Sequence, residues 1–357
     1  MDIETKIDLI KQFAEEIVTE KELRELFEAK DHPVAYDGFE PSGIAPIHFG
    51  LLRALNLKLM LKAGIKFKLY LADYFALINN KIGGDLEKIK TVGNYFIEIW
   101  KAAGIDLDKV EVIWASDIIN NIDYWDKTLR IAKELSLERI MRSITIMGRK
   151  MNEKVSVAQL FYPPMQVNDV FYMNIDICQL GMDQRKASML AREVAEKMKW
   201  KKPVAVHHHI LLGLQGIKNA DNPDDVLIAS KMSKSDPKSA IYVHDDFETI
   251  KQKINNAYCP IKQEQNNPIL EYYKYLVFKE KSSIIIQRPG KFGGDVSFES
   301  YNELSSSYIK GDLHPQDLKN GISKELNDMI KPIREYFEKN KSAKELYEKV
   351  KSFQITK

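Results

Sequence analysis

The sequence is short of cysteine, of uninterrupted apolar stretches and of net charge, and each shortage removes a class of explanation. Cys178 and Cys259 are the two cysteines in 357 residues. They lie far apart in no C-x-x-C pair, which argues against a zinc site and fits a reducing compartment. The opening from Met1 to Glu25 alternates charged and apolar residues, so neither a signal peptide nor a membrane span is expected and the reading is a soluble cytoplasmic protein. Lys and Arg number 53 against 51 Asp and Glu, a net charge of +2. Any contact with RNA must then come from local patches and shape, not from a global basic field. What the chain does have is apolar residues, 44% of the total, enough for two domains with a real core.

Ile3, Ile7, Ile10, Phe13 and Ile17 recur at helical spacing and Glu20 to Ala29 repeats the pattern, which predicts an amphipathic helical opening. Residues 34–43 then read as a strand running into a Gly/Pro/Ser turn, with His48-Phe49-Gly50 at the head of an apolar helix closed by Gly64. Strand, glycine turn and helix offer backbone N–H groups and a helix dipole to an anion. Further strands are expected at 67–73 and 110–114, with a helix at 90–103 between them. A helical stretch from 120 to 151 follows, cationic in its second half through Arg139, Arg142, Arg149 and Lys150.

In the segment 161–169, Pro163 and Pro164 suit the first turn of a helix. Gln166 and Asp169 then share one face, with Tyr162 just ahead of the turn. An aspartate among Met165, Val167, Val170 and Phe171 is costly to bury without a partner, and a phenolic hydroxyl would suit it. Residues 175–198 repeat strand, glycine turn and helix, which puts Asp183 and Gln184 at the carboxyl edge of a parallel sheet, where such folds bind ligands. The run His207-His208-His209 does not read as a metal site, because consecutive strand residues point to opposite faces.

Lys231-Met232-Ser233-Lys234-Ser235 places two lysines three residues apart in a small hydroxyl-bearing loop that Pro237 keeps from becoming helical. Such a loop can close over a polyphosphate and meet the charge that builds on a leaving pyrophosphate. Beyond it the chain reads as largely helical, at 247–257, 268–278 and 321–337, with a kink expected at Pro332. Two loops, 288–295 and 314–320, interrupt that pattern. The first is basic with an exposed aromatic, suited to stacking on an unpaired base, and the second carries a carboxylate able to accept from a base edge.

The lysine pentapeptide is the signature of class I aminoacyl-tRNA synthetases, and the sequence resembles that family there letter for letter. Tyr-x-Gly-Phe-Glu-Pro-Ser-Gly at 36–43 and the G-x-D-Q element at 181–184 resemble its tyrosyl branch, in the archaeal and eukaryotic form. The resemblance runs in order through nearly the whole chain. It implies an α/β fold: a Rossmann-like parallel-sheet catalytic domain over residues 1–229 with a helical insertion at about 75–160, the lysine loop at 230–240, and an all-α anticodon-binding domain over 241–357.

It further implies ATP and tyrosine as substrates with Mg²⁺ accompanying ATP and no dedicated protein metal site, tRNA as partner, no membrane, and a homodimer formed through the insertion. By position, Tyr36 and Asp169 would hold the phenol, and Tyr162, Gln166 and Gln184 the α-amino end. Gly38, Glu40, Ser42, His48, Gly50, Asp183, Lys231, Ser233 and Lys234 would surround ATP, with His48, Lys231 and Lys234 catalytic. Arg185, Lys186, Phe292 and Asp317 would touch tRNA. Leu51 departs from the family pattern, standing where a second histidine is expected. A tryptophanyl synthetase and a non-catalytic RNA-binding relative are the alternatives. The Tyr36/Asp169 pair, suited to a phenol, speaks against the first, and the intact lysine loop against the second.

Overall fold

The computed structural model describes residues 1–148, 153–217, 226, 230–232 and 237–353. The readings that fall on Arg149, Lys150, residues 219–225, Ser233, Lys234 and Ser235 lie outside those residues. Six strands form the main sheet: Ala14–Val18 (β1), Val34–Phe39 (β2), Lys66–Leu71 (β3), Val110–Trp114 (β4), Ile177–Gly181 (β5) and Val204–His208 (β6). Their order is β1-β6-β5-β2-β3-β4. All pairs are parallel except β1 with β6. Strand order therefore reverses between β2 and β5. A ligand crevice forms there because the crossovers on either side turn away in opposite directions and leave the carboxyl ends of the two strands uncovered.

Two expectations need correction. The opening is not continuously helical: Ile3–Lys11 is a helix, β1 follows, and Thr19 then caps the helix Glu20–Ala29 in a reciprocal capping box with Glu22. Tertiary pairing wins at Ala14–Val18, because the strand completes an edge of the sheet against β6 while Glu16 bonds Arg185 and His207. The helical insertion also cannot begin near 75, since β4 is a full member of the sheet, in register with β3 from Phe67↔Val110 to Leu71↔Trp114. The helices that depart from the sheet, Ala115–Ile119, Ile122–Lys133, Leu137–Ser143 and Val157–Leu160, lie between β4 and β5.

Beyond residue 237 the chain is mostly helical, with one short antiparallel pair, Ile284–Ile286 (β7) and Val296–Phe298 (β8), that the sequence pattern did not reveal. The helix Pro315–Lys339 continues through Pro332, which sits on its exposed side. One buried core joins this region to the sheet. Helix Leu86–Ala102 buries Tyr95, Phe96, Ile99 and Trp100 completely or nearly so. Each such side chain removed from water contributes about 2–3 kcal/mol. Tyr95 packs edge-on to Phe337, 5.7 Å between centroids, while His244 stacks on Tyr347 at 3.8 Å. Tyr336 donates to Glu98 across the same seam at 2.6 Å.

Candidate active site

A cleft of about 520 Å³ opens at the strand-order reversal, within the range of small-molecule sites. Tyr36, Gly38, Glu40, Ser42 and His48 line it from β2 and the turn that follows. Tyr162, Gln166 and Asp169 line it from the helix Tyr162–Tyr172, and Asp183, Gln184 and Lys231 from beyond β5 and β6. The sequence thus names eleven residues that the fold gathers around one space, although they are up to 195 positions apart.

At its buried end the cleft is phenolic. Asp169 is 1% exposed and accepts a hydrogen bond from the Tyr124 hydroxyl at 2.8 Å. Burial pushes its carboxyl up to about 8, against the hydroxyls of Tyr124 and Tyr70, which pull it down. Tyr70 lies beside that carboxylate, yet its buried hydroxyl completes no well-formed hydrogen bond. Tyr36 closes the same pocket and is 2% exposed. A polar nest inside apolar walls is costly unless a partner arrives. Tyr124 and Tyr70 are absent from the residues inferred by sequence. Tyr124 was detectable only as one of the inward positions Tyr124, Thr128 and Ile131 of an amphipathic helix, and Tyr70 only as a strand residue.

Midway along the cleft, Tyr162 donates to Glu40 at 2.6 Å, and Asn79 donates to the same carboxylate at 3.2 Å. Gln166 donates to Gln184 at 3.1 Å, and Gln184 donates in turn to the Ile146 carbonyl at 2.9 Å. The Gln166 carbonyl is left as a buried acceptor without a partner. An ammonium group offered there would satisfy acceptors that the protein itself leaves open.

The opposite end carries charged side chains, among them Arg53, Asp183 and Lys231. Residues 48–52 form a π turn before the helix Arg53–Lys62. The preceding residues pair with 241–243, the Ile47 N–H donating to Ile241 and the Val243 N–H to Ala45. This geometry turns His48, Phe49, Leu52 and Arg53 toward the cleft. Gly50 does not join them: a Cβ there would meet Val243 at 2.4 Å and Ile99 at 3.5 Å, so the glycine serves close packing. Leu51 is 7% exposed and belongs to the core. A one-position reading of the motif could not anticipate the wider π turn, which shifts which side chains reach the ligand face.

Arg53, unremarked in the sequence, makes a buried ion pair with Asp37. Burial raises the Asp37 carboxyl to about 6, and the guanidinium opposes that rise. Asp183 behaves differently: burial would raise it, but Lys231 and Arg53 together hold it below the ordinary carboxylate value. The Lys231 ammonium lies 3.2 Å from Asp183. Its backbone is fixed by a bridge to Leu212 and by the Gly213 N–H, which donates to Ser230 at 2.7 Å.

The three histidines scatter as their alternation requires. His207 contacts Glu16 and Ser188, His208 contacts Gln179, and His209 contacts Glu15 and Glu271. Arg185 forms a forked pair with Glu16, and Lys186 donates to Thr145 and the Arg142 carbonyl. Far along the chain, Phe292 is 60% exposed under the Lys291 ammonium. Asp317 accepts from the His314 N–H in a capping box. Residues 314–320, expected as a loop, instead open the helix Pro315–Lys339, and Arg288 ties the 288–295 loop to the turn ahead of that helix by donating to the carbonyls of Gly294 and Asp312.

Comparison with known proteins agrees with this geometry. The family model of tRNA synthetases class I (W and Y) matches residues 28–331. Tyrosine–tRNA ligase 1, cytoplasmic, from Arabidopsis thaliana is 42% identical, covering 100% of this chain and 90% of that protein. A tyrosine–tRNA ligase of Thermococcus gammatolerans is 45% identical over 98% of this chain and 99% of its own length. The crystal structure of tyrosyl-tRNA synthetase complexed with L-tyrosine from Pyrococcus horikoshii matches with a TM-score of 0.89 at 42% identity, covering 98% of this chain and 100% of that one. The chain therefore belongs to the class I tRNA synthetases, in the tyrosyl group of archaeal and eukaryotic type.

Proposed function

We propose that this protein is a tyrosine–tRNA ligase that activates tyrosine with ATP and then passes the tyrosyl group to the 3′ end of its tRNA. The observation that carries the reading is the buried carboxyl of Asp169, ringed by Tyr36, Tyr70 and Tyr124 at the closed end of a cleft whose open end holds Asp183 and Lys231. In the first step the tyrosine carboxylate attacks the α-phosphorus of ATP and pyrophosphate leaves. Lys231, with Lys234 and His48, meets the charge that develops on it, and Mg²⁺ enters with ATP as part of the substrate. No side chain becomes covalently attached, so rate comes from positioning and from charge stabilisation.

The phenol is held by Asp169 and Tyr36, and the α-amino group by Tyr162, Gln166 and Gln184. A phenylalanine in this pocket leaves those polar groups buried without partners, which is how a missing hydroxyl is rejected. Gly38, Glu40, Ser42 and Asp183 border the nucleotide. Arg185 and Lys186 would touch tRNA, while Phe292 and Asp317 would offer a ring and a carboxylate to anticodon bases. Two chains would pair through the stretch between β4 and β5, where Ile122, Leu137 and Val157 are 77%, 63% and 73% exposed. Cytoplasmic residence fits two unpaired thiols; among the described residues no helix is long and apolar enough to cross a membrane.

Pyrophosphate exchange run with each of the twenty amino acids tests the reading. Exchange with tyrosine alone is expected; exchange with tryptophan, or with none, overturns it. Asp317→Ala should lower tRNA charging while exchange persists, and equal loss of both would remove Asp317 from the anticodon.

A further inference from the structure

His208 makes none of the contacts assigned to tyrosine or to the leaving pyrophosphate, and its surroundings are unusual. It ends β6, is fully buried, and borders the cleft. Gln179 donates to its Nδ1 at 2.7 Å, so the ring proton of the neutral imidazole sits on Nε2. That Nε2 is buried without a hydrogen-bond partner. Oδ1 of Asp183 is in the same condition, while its Oδ2 faces Lys231.

The two orphan atoms border one glycine. A Cβ on Gly181 would stand 2.5 Å from Ile210 Cδ1, 2.6 Å from Asp183 Oδ1 and 3.4 Å from His208 Nε2, so a side chain at 181 would displace the Ile210 methyl and the carboxylate and touch the imidazole. Gly181 and His208 are register partners across β5 and β6, which fixes the imidazole over the strand end. An unpaired donor and an unpaired acceptor around one bare backbone position call for a group that accepts and donates through one atom. A hydroxyl does this; a carboxylate can only accept and an ammonium can only donate.

We propose that His208 is a nucleotide-binding residue, its Nε2–H donating to a ribose hydroxyl of ATP that in turn donates to Oδ1 of Asp183. The assignment rests on the tyrosine-activating reading. Burial, followed by the nearby Arg53, keeps the imidazole from taking a second proton, so the donor is uncharged and adds no cation beside Arg53. Gln179 holds the tautomer and acts through His208.

The test is pyrophosphate exchange with ATP, 2′-deoxy-ATP and 3′-deoxy-ATP, comparing the full-length protein with His208→Phe and Gln179→Met. The wild type should lose about tenfold in kcat/KM with one deoxy analogue, the equivalent of about 1.4 kcal/mol. His208→Phe should raise KM for ATP about tenfold, leave KM for tyrosine unchanged, and lose its discrimination against that same analogue. Gln179→Met, which keeps the ring and frees its tautomer, should move KM for ATP in the same direction by a smaller factor and decides the matter if His208→Phe does not fold. Undiminished discrimination in the variants, or a KM for ATP that does not move, overturns the proposal and leaves Nε2 to a water molecule. A wild type that exchanges with no amino acid refutes the tyrosine-activating reading instead. Equilibrium binding of the same three nucleotides then decides His208 separately.

Discussion

Asp169→Asn should stabilise the protein at alkaline pH and leave it unchanged at acid pH. The carboxyl is 1% exposed, and burial carries it from 3.8 to about 8. A carboxyl whose folded value is raised binds its proton more tightly in the native chain than in the unfolded one. Stability is therefore unaffected below about pH 4, declines by about 1.4 kcal/mol per pH unit above that, and levels off past about pH 8. Over roughly four units the loss is on the order of 6 kcal/mol, a substantial share of a typical folding free energy. Asparagine preserves the shape, and its carbonyl accepts from Tyr124, so the variant carries no such slope. Urea unfolding of both proteins at half-unit steps from pH 4.5 to 9 checks this. The two curves should diverge steadily with pH, and a separation equal at both ends would refute the protonated state of Asp169. Activity should run the other way. If the substrate phenol donates to the ionised carboxylate as proposed, kcat/KM for tyrosine in the wild type should climb by up to about tenfold per unit from pH 6 toward 8, and that limb should be missing in the variant.

Tyr124→Phe deprives Asp169 of its donor. Activation of tyrosine should fall by roughly tenfold or more, and the midpoint of the pH limb should move upward while KM for ATP stays put; an unmoved midpoint would rule out the Tyr124 contact. His209 is held by Glu15 and Glu271, which raise it to about 9 against the effect of burial. Its stabilisation is complete below pH 6.5 and disappears as pH rises through about 9, so His209→Gln should cost up to about 3 kcal/mol at neutral pH and nothing near pH 10, as read by thermal unfolding. Gly50→Ala should lower stability by about 1–3 kcal/mol through the clash with Val243. KM for ATP should be unchanged in that variant, whereas a selective rise would return Gly50 to the nucleotide.

Where sequence and structure agree, the signal is local chemistry. Strand, glycine turn and helix at 34–50 and 177–198, and prolines opening the helix at 162, are written in short segments whose backbone preferences point one way. The residues around the cleft follow from those segments, because a parallel sheet delivers strand ends to one edge. What escapes are features decided by a distant partner. Ala14–Val18 carries the tail of a helical spacing but is drawn to the sheet edge by β6. Gly50 looks like a motif glycine and is fixed by Val243, almost two hundred positions on. Tyr70 and Tyr124 gain meaning only from Asp169, and Arg53 only from Asp37. The π turn at 48–52 explains the second imidazole absent at residue 51: that position points into the core, where leucine is the appropriate side chain.

The aromatic seam between helix Leu86–Ala102 and the C-terminal helices limits how modular this synthetase can be. Tyr95, Glu98, His244, Tyr336, Phe337 and Tyr347 interlock across it. Grafting a foreign C-terminal module after residue 240 would strip one half of that lock and leave large rings facing water. A working chimera must therefore transplant the matching surface of helix Leu86–Ala102 along with the module, so that exchanging the C-terminal region entails rebuilding part of the body that carries the cleft.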